Sequence, residues 1–127
     1  MSIYFNIFVK TNAGVRDFTS EFSRIVGKPF ALIQTDVGDV YETEILGTRV
    51  VIIGNPGLSD AGGDHLNFSQ YQVQIDIGPV TGGKAHDALI QSMSVHLAGE
   101  IRARMKHPTM VTEGLRKLVG AFELAAS

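Results

Sequence analysis

The segment Phe68–Ile77, FSQYQVQIDI, alternates polar and apolar residues without a break from Ser69 onward. Its apolar members are Tyr71, Val73, Ile75 and Ile77, and its polar members are Gln70, Gln72, Gln74 and Asp76. Successive side chains of a β-strand point to opposite faces of the sheet, so this pattern predicts a strand with one apolar and one polar face. We therefore expect a sheet that is packed on one side, with the polar face open.

Further strands and helices are predicted on both sides of this segment from β-branched composition and from apolar residues at helical spacing. The other predicted strands are Ile3–Val9, Phe30–Ile33, Val40–Leu46, Arg49–Ile53 and Thr109–Thr112, the last at a sheet edge. Three helices are predicted: the first is capped by Thr11 or Asn12 and ended by Gly27, the second runs from Lys84 to about Met105, and the third is Gly114–Leu124. The order β-α-β-β-β-β-α-β-α predicts one α+β domain over residues 1–127, with a mixed, mostly antiparallel sheet and the helices packed on one face.

Composition limits the classes of function. The chain has 127 residues, no cysteine and a formal net charge of -2. Without cysteine it has no thiolate nucleophile, disulfide or cysteine-based zinc site, which fits a cytoplasmic protein. The charge predicts no attraction to nucleic acid or to an anionic membrane. The apolar run near the N-terminus is too short to span a bilayer, so it is interpreted as a strand.

One segment has the spelling of a phosphate-binding loop. Gly78–Lys84, GPVTGGK, fits the pattern G-x-x-x-x-G-K and lies between a predicted strand and a predicted helix. Ala85 stands where a P-loop has the serine or threonine that binds Mg²⁺, and the preceding strand is amphipathic rather than buried on both faces. A strand-to-helix connection that needs flexible glycines explains the segment equally well.

Two groups of acidic residues are candidates for a binding surface. Asp60, Asp64 and His65 lie in the glycine-rich segment Gly54–Asn67, where they suit a metal ion, acid-base chemistry or contact with a partner. The spacing matches no calcium or zinc signature. Glu42 and Glu44 alternate with Tyr41, Thr43 and Ile45 and are predicted to share the polar face of the sheet with the glutamines.

Two segments resemble small bacterial immunity proteins, which neutralise the toxins of polymorphic and contact-dependent growth-inhibition systems. The strand FSQYQVQIDI, reached through a loop rich in glycine and aspartate, is similar to their Ser-x-Tyr-x-x-x-Ile strand. The run Lys106–Val119, KHPTMVTEGLRKLV, is similar to their pattern of helix, short strand and closing amphipathic helix. The resemblance covers Gly62–Phe122. The matching positions are framework residues, namely Ser69, Tyr71, Ile75, Val111 and Leu115.

The resemblance implies a protein without catalysis, cofactor or metal that binds and occludes the C-terminal domain of a cognate toxin, one to one, in the cytoplasm of the producing cell. Such a protein is a monomer or weak dimer when free. From their chemistry, the residues expected at the interface are Glu42, Glu44, Asp60, Asp64, His65, Gln70, Gln72, Gln74 and Asp76. Two other classes of function stay open. One is a small ligand- or nucleotide-binding domain or enzyme that uses Gly78–Lys84 or the Asp64–His65 loop, and the other is a structural or adaptor subunit that self-assembles through edge strands.

Overall fold

The fold is an antiparallel sheet with helices on one face. The computed structural model describes residues 4–36, 38–45, 47–54, 71–79, 87–115 and 117–122. The strands are β1 (Phe5–Val9), β2 (Ala31–Thr35), β3 (Gly38–Ile45), β4 (Thr48–Gly54), β5 (Val73–Pro79), β6 (Thr109–Glu113) and β7 (Lys117–Phe122). The helices are α1 (Val15–Val26) and α2 (Asp87–Glu100), and α2 continues into a π-helical turn, Ile101–Met105. Within these residues the seven strands lie in the order β2-β3-β4-β5-β1-β6-β7, and every pairing is antiparallel. The predicted α+β class is confirmed.

Helix α1 follows directly from its sequence pattern. Its apolar residues recur at helical spacing, and Phe18 and Phe22 are fully buried with their rings stacked 5.6 Å apart. The helix ends at Gly27, which has a φ of 80° and donates its backbone N–H to the carbonyl of Ser23. Glycine adopts this left-handed conformation without steric cost, so it stops the helix and turns the chain toward β2.

The main core lies between the helices and one face of the sheet. Helix α1 packs on β4, and α2 packs on β5, β1, β6 and β7. The strands contribute Phe5, Ile7, Val9, Val50, Ile52, Val73, Ile75, Ile77 and Val111, and α2 with its π-helical turn contributes Ile90, Leu97, Ala98, Ile101 and Met105. The predicted placement of the helices on one face is therefore confirmed. Neither of these described helices combines the length and the apolar character needed to cross a membrane.

The predicted closing helix Gly114–Leu124 is wrong, because residues 117–122 form β7. Val111 pairs with Gly120 and Thr112 pairs with Leu118, so β7 has one extra residue, Val119, at a bulge. The bulge lets Val119 and Phe122 both pack against the main core, although residues three apart on a regular strand face opposite ways. Because β7 pairs with β6, the prediction that Thr109–Thr112 lies at a sheet edge is also wrong.

The face of the sheet opposite the helices is covered at its centre, which corrects the prediction of an open face. Phe8 is fully buried there in a second apolar cluster with Tyr71 and Met110. The rings of Phe8 and Tyr71 meet edge to face, with their centroids 6.1 Å apart. The chain bends at Gln72 before β5 begins, so Tyr71 does not share the core face of Val73 as the alternation predicted.

Candidate functional site

The polar side chains of β5 hold the sheet together at its centre. Asn6 Nδ2 and Gln74 Nε2 both donate to Asp76 Oδ1, each at 2.7 Å. Asn6 Oδ1 accepts hydrogen bonds from Thr112 Oγ1 at 3.1 Å and from the backbone N–H of Leu115 at 3.0 Å. Gln74 is only 6% exposed, so its predicted place on an open polar face is wrong. This network links β5, β1, β6 and the turn after β6.

Gln72 has a similar structural contact at the end of β1. Its Oε1 accepts the backbone N–H of Thr11 at 3.1 Å, and its own backbone N–H donates to the carbonyl of Val9 at 3.1 Å. These bonds fix the start of the loop between β1 and α1. Gln72 and Asp76 are half-buried, so both present less polar surface to a partner than the alternating sequence predicted.

The two glutamates of β3 differ in what remains free for a partner. The carboxylate of Glu42 forms a two-point ion pair with Arg49, in which Arg49 Nε and Nη2 each donate to a different oxygen, the latter at 3.1 Å. The hydrogen bonds that Arg49 donates to Glu42 raise the pKa of Arg49. Glu44 lies on the same face and is exposed, while Lys28 Nζ donates to its backbone carbonyl at 2.6 Å. Glu44 therefore presents its charge to solvent, as predicted.

The hairpin formed by β2 and β3 carries the largest acidic surface that the structure describes. We call residues 31–45 the acidic hairpin, because they contain four carboxylates and no lysine or arginine. Its carboxylates are Asp36, Asp39, Glu42 and Glu44, and all but Glu42 are exposed. All five residues of β2 are exposed, including Leu32 at 51% and Ile33 at 37%. Exposed apolar side chains ringed by charge are typical of protein-binding surfaces.

The position of β2 in the sheet explains this exposure. Within the described part of the chain, β2 is the outermost strand and pairs with β3 only. Tyr41 and Ile45 of β3 pack against the main core, whereas no described residue of β2 belongs to it. An uncovered edge strand offers backbone donors and acceptors as well as side chains to another protein.

Several predicted site residues cannot be placed. Asp60, Asp64, His65 and Gln70 lie outside the described residues, and so does most of the predicted phosphate-binding loop. Gly78 and Pro79 belong to β5, which is antiparallel to both of its neighbours. A P-loop follows a strand of a mainly parallel sheet, so this setting differs from that of a nucleotide-binding domain.

A second polar feature lies at the end of β1, where residues 10–13 and 106–108 line a cleft of about 480 Å³. His107 Nε2 is 3.3 Å from Thr11 Oγ1, and its ring lies 6.4 Å from the ring of Phe18. Burial lowers the pKa of His107, while the negative charge of Glu21 acts in the opposite direction. The Thr11 hydroxyl is buried and accepts the backbone N–H of Ala13 at 3.0 Å, so the pair fixes this loop and does not present a nucleophile.

Sequence reasoning missed the parts of the acidic hairpin outside Glu42 and Glu44. Leu32 and Ile33 were read only as strand residues, since nothing local shows which strand lies at an edge. Asp36 and Asp39 were not singled out either. The feature of the sequence that could have revealed this surface is its charge bias, because residues 31–45 contain four carboxylates and no lysine or arginine.

No protein-family model, curated protein or solved structure matches this chain. Among the residues with described placement, no three histidine, aspartate or glutamate side chains converge as they would around a metal ion. The acidic hairpin is therefore the described feature from which a function is best inferred.

Proposed function

We propose that this chain is an immunity protein that binds a cognate bacterial toxin domain and blocks it by occlusion, in the cytoplasm of the producing cell. The observation that carries the proposal is the acidic hairpin, which exposes Leu32, Ile33 and three carboxylates. Apolar anchors give affinity, and a field of one sign speeds the approach of an oppositely charged partner. Toxins that cleave nucleic acid have basic active sites, to which such a surface is complementary.

The resemblance of Gly62–Phe122 to immunity proteins supports the same class of function. Two of its framework positions, Ile75 and Val111, lie in the main core, and Tyr71 lies in the second cluster. The closing element is a strand instead of the helix of the resembling pattern, so the C-terminal part of the resemblance does not support the proposal. The proposal therefore depends more on the hairpin than on the resemblance.

The test begins with affinity capture of the tagged protein from a lysate of the producing bacterium. We expect a one-to-one complex with the C-terminal domain of a large secreted protein. That domain is then expressed in a sensitive host with and without this chain, and growth is measured. Growth arrest that the chain relieves supports the proposal. Arrest that persists despite formation of the complex contradicts it.

Charge reversal locates the surface. Glu44→Lys is expected to weaken the complex about tenfold or more, because it replaces an exposed attractive charge with a repulsive one. Glu21→Lys is the matched control, since Glu21 is an exposed glutamate on α1, away from the hairpin. Equal affinity of the two variants, measured by calorimetry, would place the interface elsewhere.

A second candidate is a structural subunit that assembles head to tail. Both outer strands have exposed apolar residues, Leu32 on β2 and Leu118 at 39% on β7. In the sequence, residues 102–117, which lead into β7, contain five lysines or arginines and one glutamate. An acidic hairpin at one outer strand and a basic segment of the chain before the other suit the addition of one copy to the next. The oligomeric state of the free protein separates this candidate from the immunity protein.

A further inference from the structure

The direction of the free backbone groups on β2 follows from its pairing with β3. Thr35 pairs with Gly38, and two residues separate them in the sequence. In a hairpin with a two-residue turn, the two residues that close the turn exchange backbone hydrogen bonds. Hydrogen-bonded and non-bonded pairs then alternate along an antiparallel ladder. Ile33 therefore bonds across to β3, while the backbone N–H and C=O of Leu32 and Gln34 point away from the sheet.

The side chains around these groups suit an added strand. Leu32 and Ile33 point to opposite faces of β2, and each is more than one-third exposed. A strand laid along β2 would cover both side chains and supply partners for the outward backbone groups of Leu32 and Gln34. Main-chain hydrogen bonds give affinity in this mode of recognition, and alternate side chains give specificity.

The charge of the hairpin indicates what kind of strand fits. Two cations lie against the four carboxylates of residues 31–45, namely Arg49, which pairs with Glu42, and Lys28, whose Nζ donates to the carbonyl of Glu44, so the hairpin keeps an excess of negative charge. Pairing of β2 with β2 of a second copy would place two acidic hairpins side by side, with no lysine or arginine of residues 31–45 between them. This repulsion disfavours a symmetric dimer and favours a basic partner.

We infer that the outer edge of β2, which pairs with no strand among the described residues, is a strand-addition site for a basic, extended segment with alternating apolar residues, supplied by the partner protein. This inference rests on the proposed function for the identity of the partner. The binding mode itself depends only on the edge.

The test uses a probe of that chemistry, a seven-residue peptide of alternating lysine and valine blocked at both ends. Amide exchange of the ¹⁵N-labelled protein is followed by NMR with and without the peptide at millimolar concentration. The amides of Leu32 and Gln34 are expected to exchange rapidly in the free protein and more slowly when the peptide is bound. The corresponding glutamate-valine peptide is expected to have no effect. Unchanged exchange at Leu32 and Gln34 with the lysine peptide would overturn the inference.

Two variants separate backbone pairing from side-chain contact. Gln34→Pro removes the outward N–H and leaves the predicted bonds of Ile33 and Thr35 to β3 in place, whereas Gln34→Ala removes the side chain and keeps the N–H. Gln34→Pro is expected to weaken peptide binding about tenfold or more, and Gln34→Ala by less than about threefold. Equal affinity of the two variants overturns strand addition.

If Gln34→Pro fails to fold, a double charge reversal, Asp36→Lys with Asp39→Lys, tests the site instead. It leaves the β2 backbone intact and is expected to abolish the preference for the lysine peptide over the glutamate peptide. A preserved preference overturns the assignment of a basic partner. If the peptide binds but the chain protects no host against a toxin, the edge site is supported and the proposed function is rejected. Failure of the strand-addition site can therefore be distinguished from failure of the proposed function.

Discussion

At the scale of single residues, Asn6 is the centre of the polar network. Its side chain is 3% exposed and bonds to Asp76, Thr112 and the backbone of Leu115. Asn6→Ala removes all three bonds, and Thr112, which has no exposed surface, loses its acceptor. A buried polar group without a partner costs about 1–3 kcal/mol, so we expect the free energy of unfolding to fall by about 2–3 kcal/mol.

Urea denaturation measures this loss. Asn12→Ala is the matched control, because Asn12 is exposed in the loop before α1, and its expected effect is within about 0.5 kcal/mol. If Asn6→Ala lowers the free energy of unfolding no more than the control does, then water replaces the hydrogen bonds of the network.

His107 is expected to make stability depend on pH. Burial lowers its pKa from the ordinary value of 6.5, so below that value the folded state binds fewer protons than the unfolded state. The free energy of unfolding therefore rises with pH in this window. The contribution is fully present above the unfolded pKa and is lost as the pH falls through the folded pKa.

The check is a series of urea midpoints from about pH 7.5 down to about pH 5.5, above most carboxylate titration. His107→Gln is expected to flatten the slope. Identical slopes for the wild type and His107→Gln would contradict the assignment.

At the scale of elements, two glycines are expected to respond oppositely to the same substitution. A Cβ on Gly54, at the end of β4, would lie 2.7 Å from Val15 Cβ, so the start of α1 must move. A Cβ on Gly99, within α2, would meet Phe122 Cε1 at 3.8 Å, an ordinary contact. Gly54→Ala should cost about 1–3 kcal/mol by overpacking, and Gly99→Ala should gain about 0.5–1 kcal/mol by helix propensity.

Thermal and urea unfolding of both variants give the two signs directly. A stabilising Gly54→Ala would mean that α1 does not pack closely on the end of β4. A destabilising Gly99→Ala would mean that the contact with Phe122 is tighter than the structure shows.

The elements that the sequence predicted correctly are those whose local pattern and tertiary setting agree. The apolar stripe and Gly27 defined α1, and the residues Ile90, Leu97, Ile101 and Met105 defined the buried side of α2. The closing element was mispredicted because a bulge at Val119 reproduces helical spacing on a strand. Such a bulge depends on pairing with β6 and leaves no separate local signal.

The candidate site was predictable only in part, for a related reason. Glu44 was placed correctly on an exposed face, since alternation along β3 decides its direction. Gln74 looked equally exposed in the sequence, yet it bonds to Asp76 and is buried beside β1. Exposure depends on the order of strands in the sheet. That order places β5 near the centre and β2 at the end, and no short segment encodes it.

At the scale of the whole molecule, the net charge of -2 conceals a separation of charge along the sheet. The acidic hairpin lies at one end of the strand order, and β6 and β7 lie at the other, in a part of the sequence, residues 102–117, that contains five lysines or arginines. The net charge by itself predicts no attraction to nucleic acid or to an anionic membrane. A local field of one sign is what steers a partner, and it depends on which charges lie together.

This separation of charge leads to a test of the state of the free protein. Charged residues beside an edge strand protect it from pairing with other copies, so the hairpin carboxylates should keep the free protein monomeric, with a mass of 13.7 kDa. Asp36→Asn with Asp39→Asn removes two of these charges and brings the formal net charge from -2 to zero. Sedimentation velocity is expected to show a monomer for the wild type and concentration-dependent association for this double variant.

The matched control is Asp17→Asn with Glu21→Gln, which removes two exposed carboxylates from α1 and brings the same change of net charge. This control should stay monomeric, because its β2 edge keeps all four neighbouring carboxylates. Association of both double variants would mean that low net charge alone causes it. A wild type that already assembles, and loses assembly when the hairpin is neutralised, would instead support head-to-tail addition of the acidic edge to the basic edge. That result would favour the structural subunit over the immunity protein.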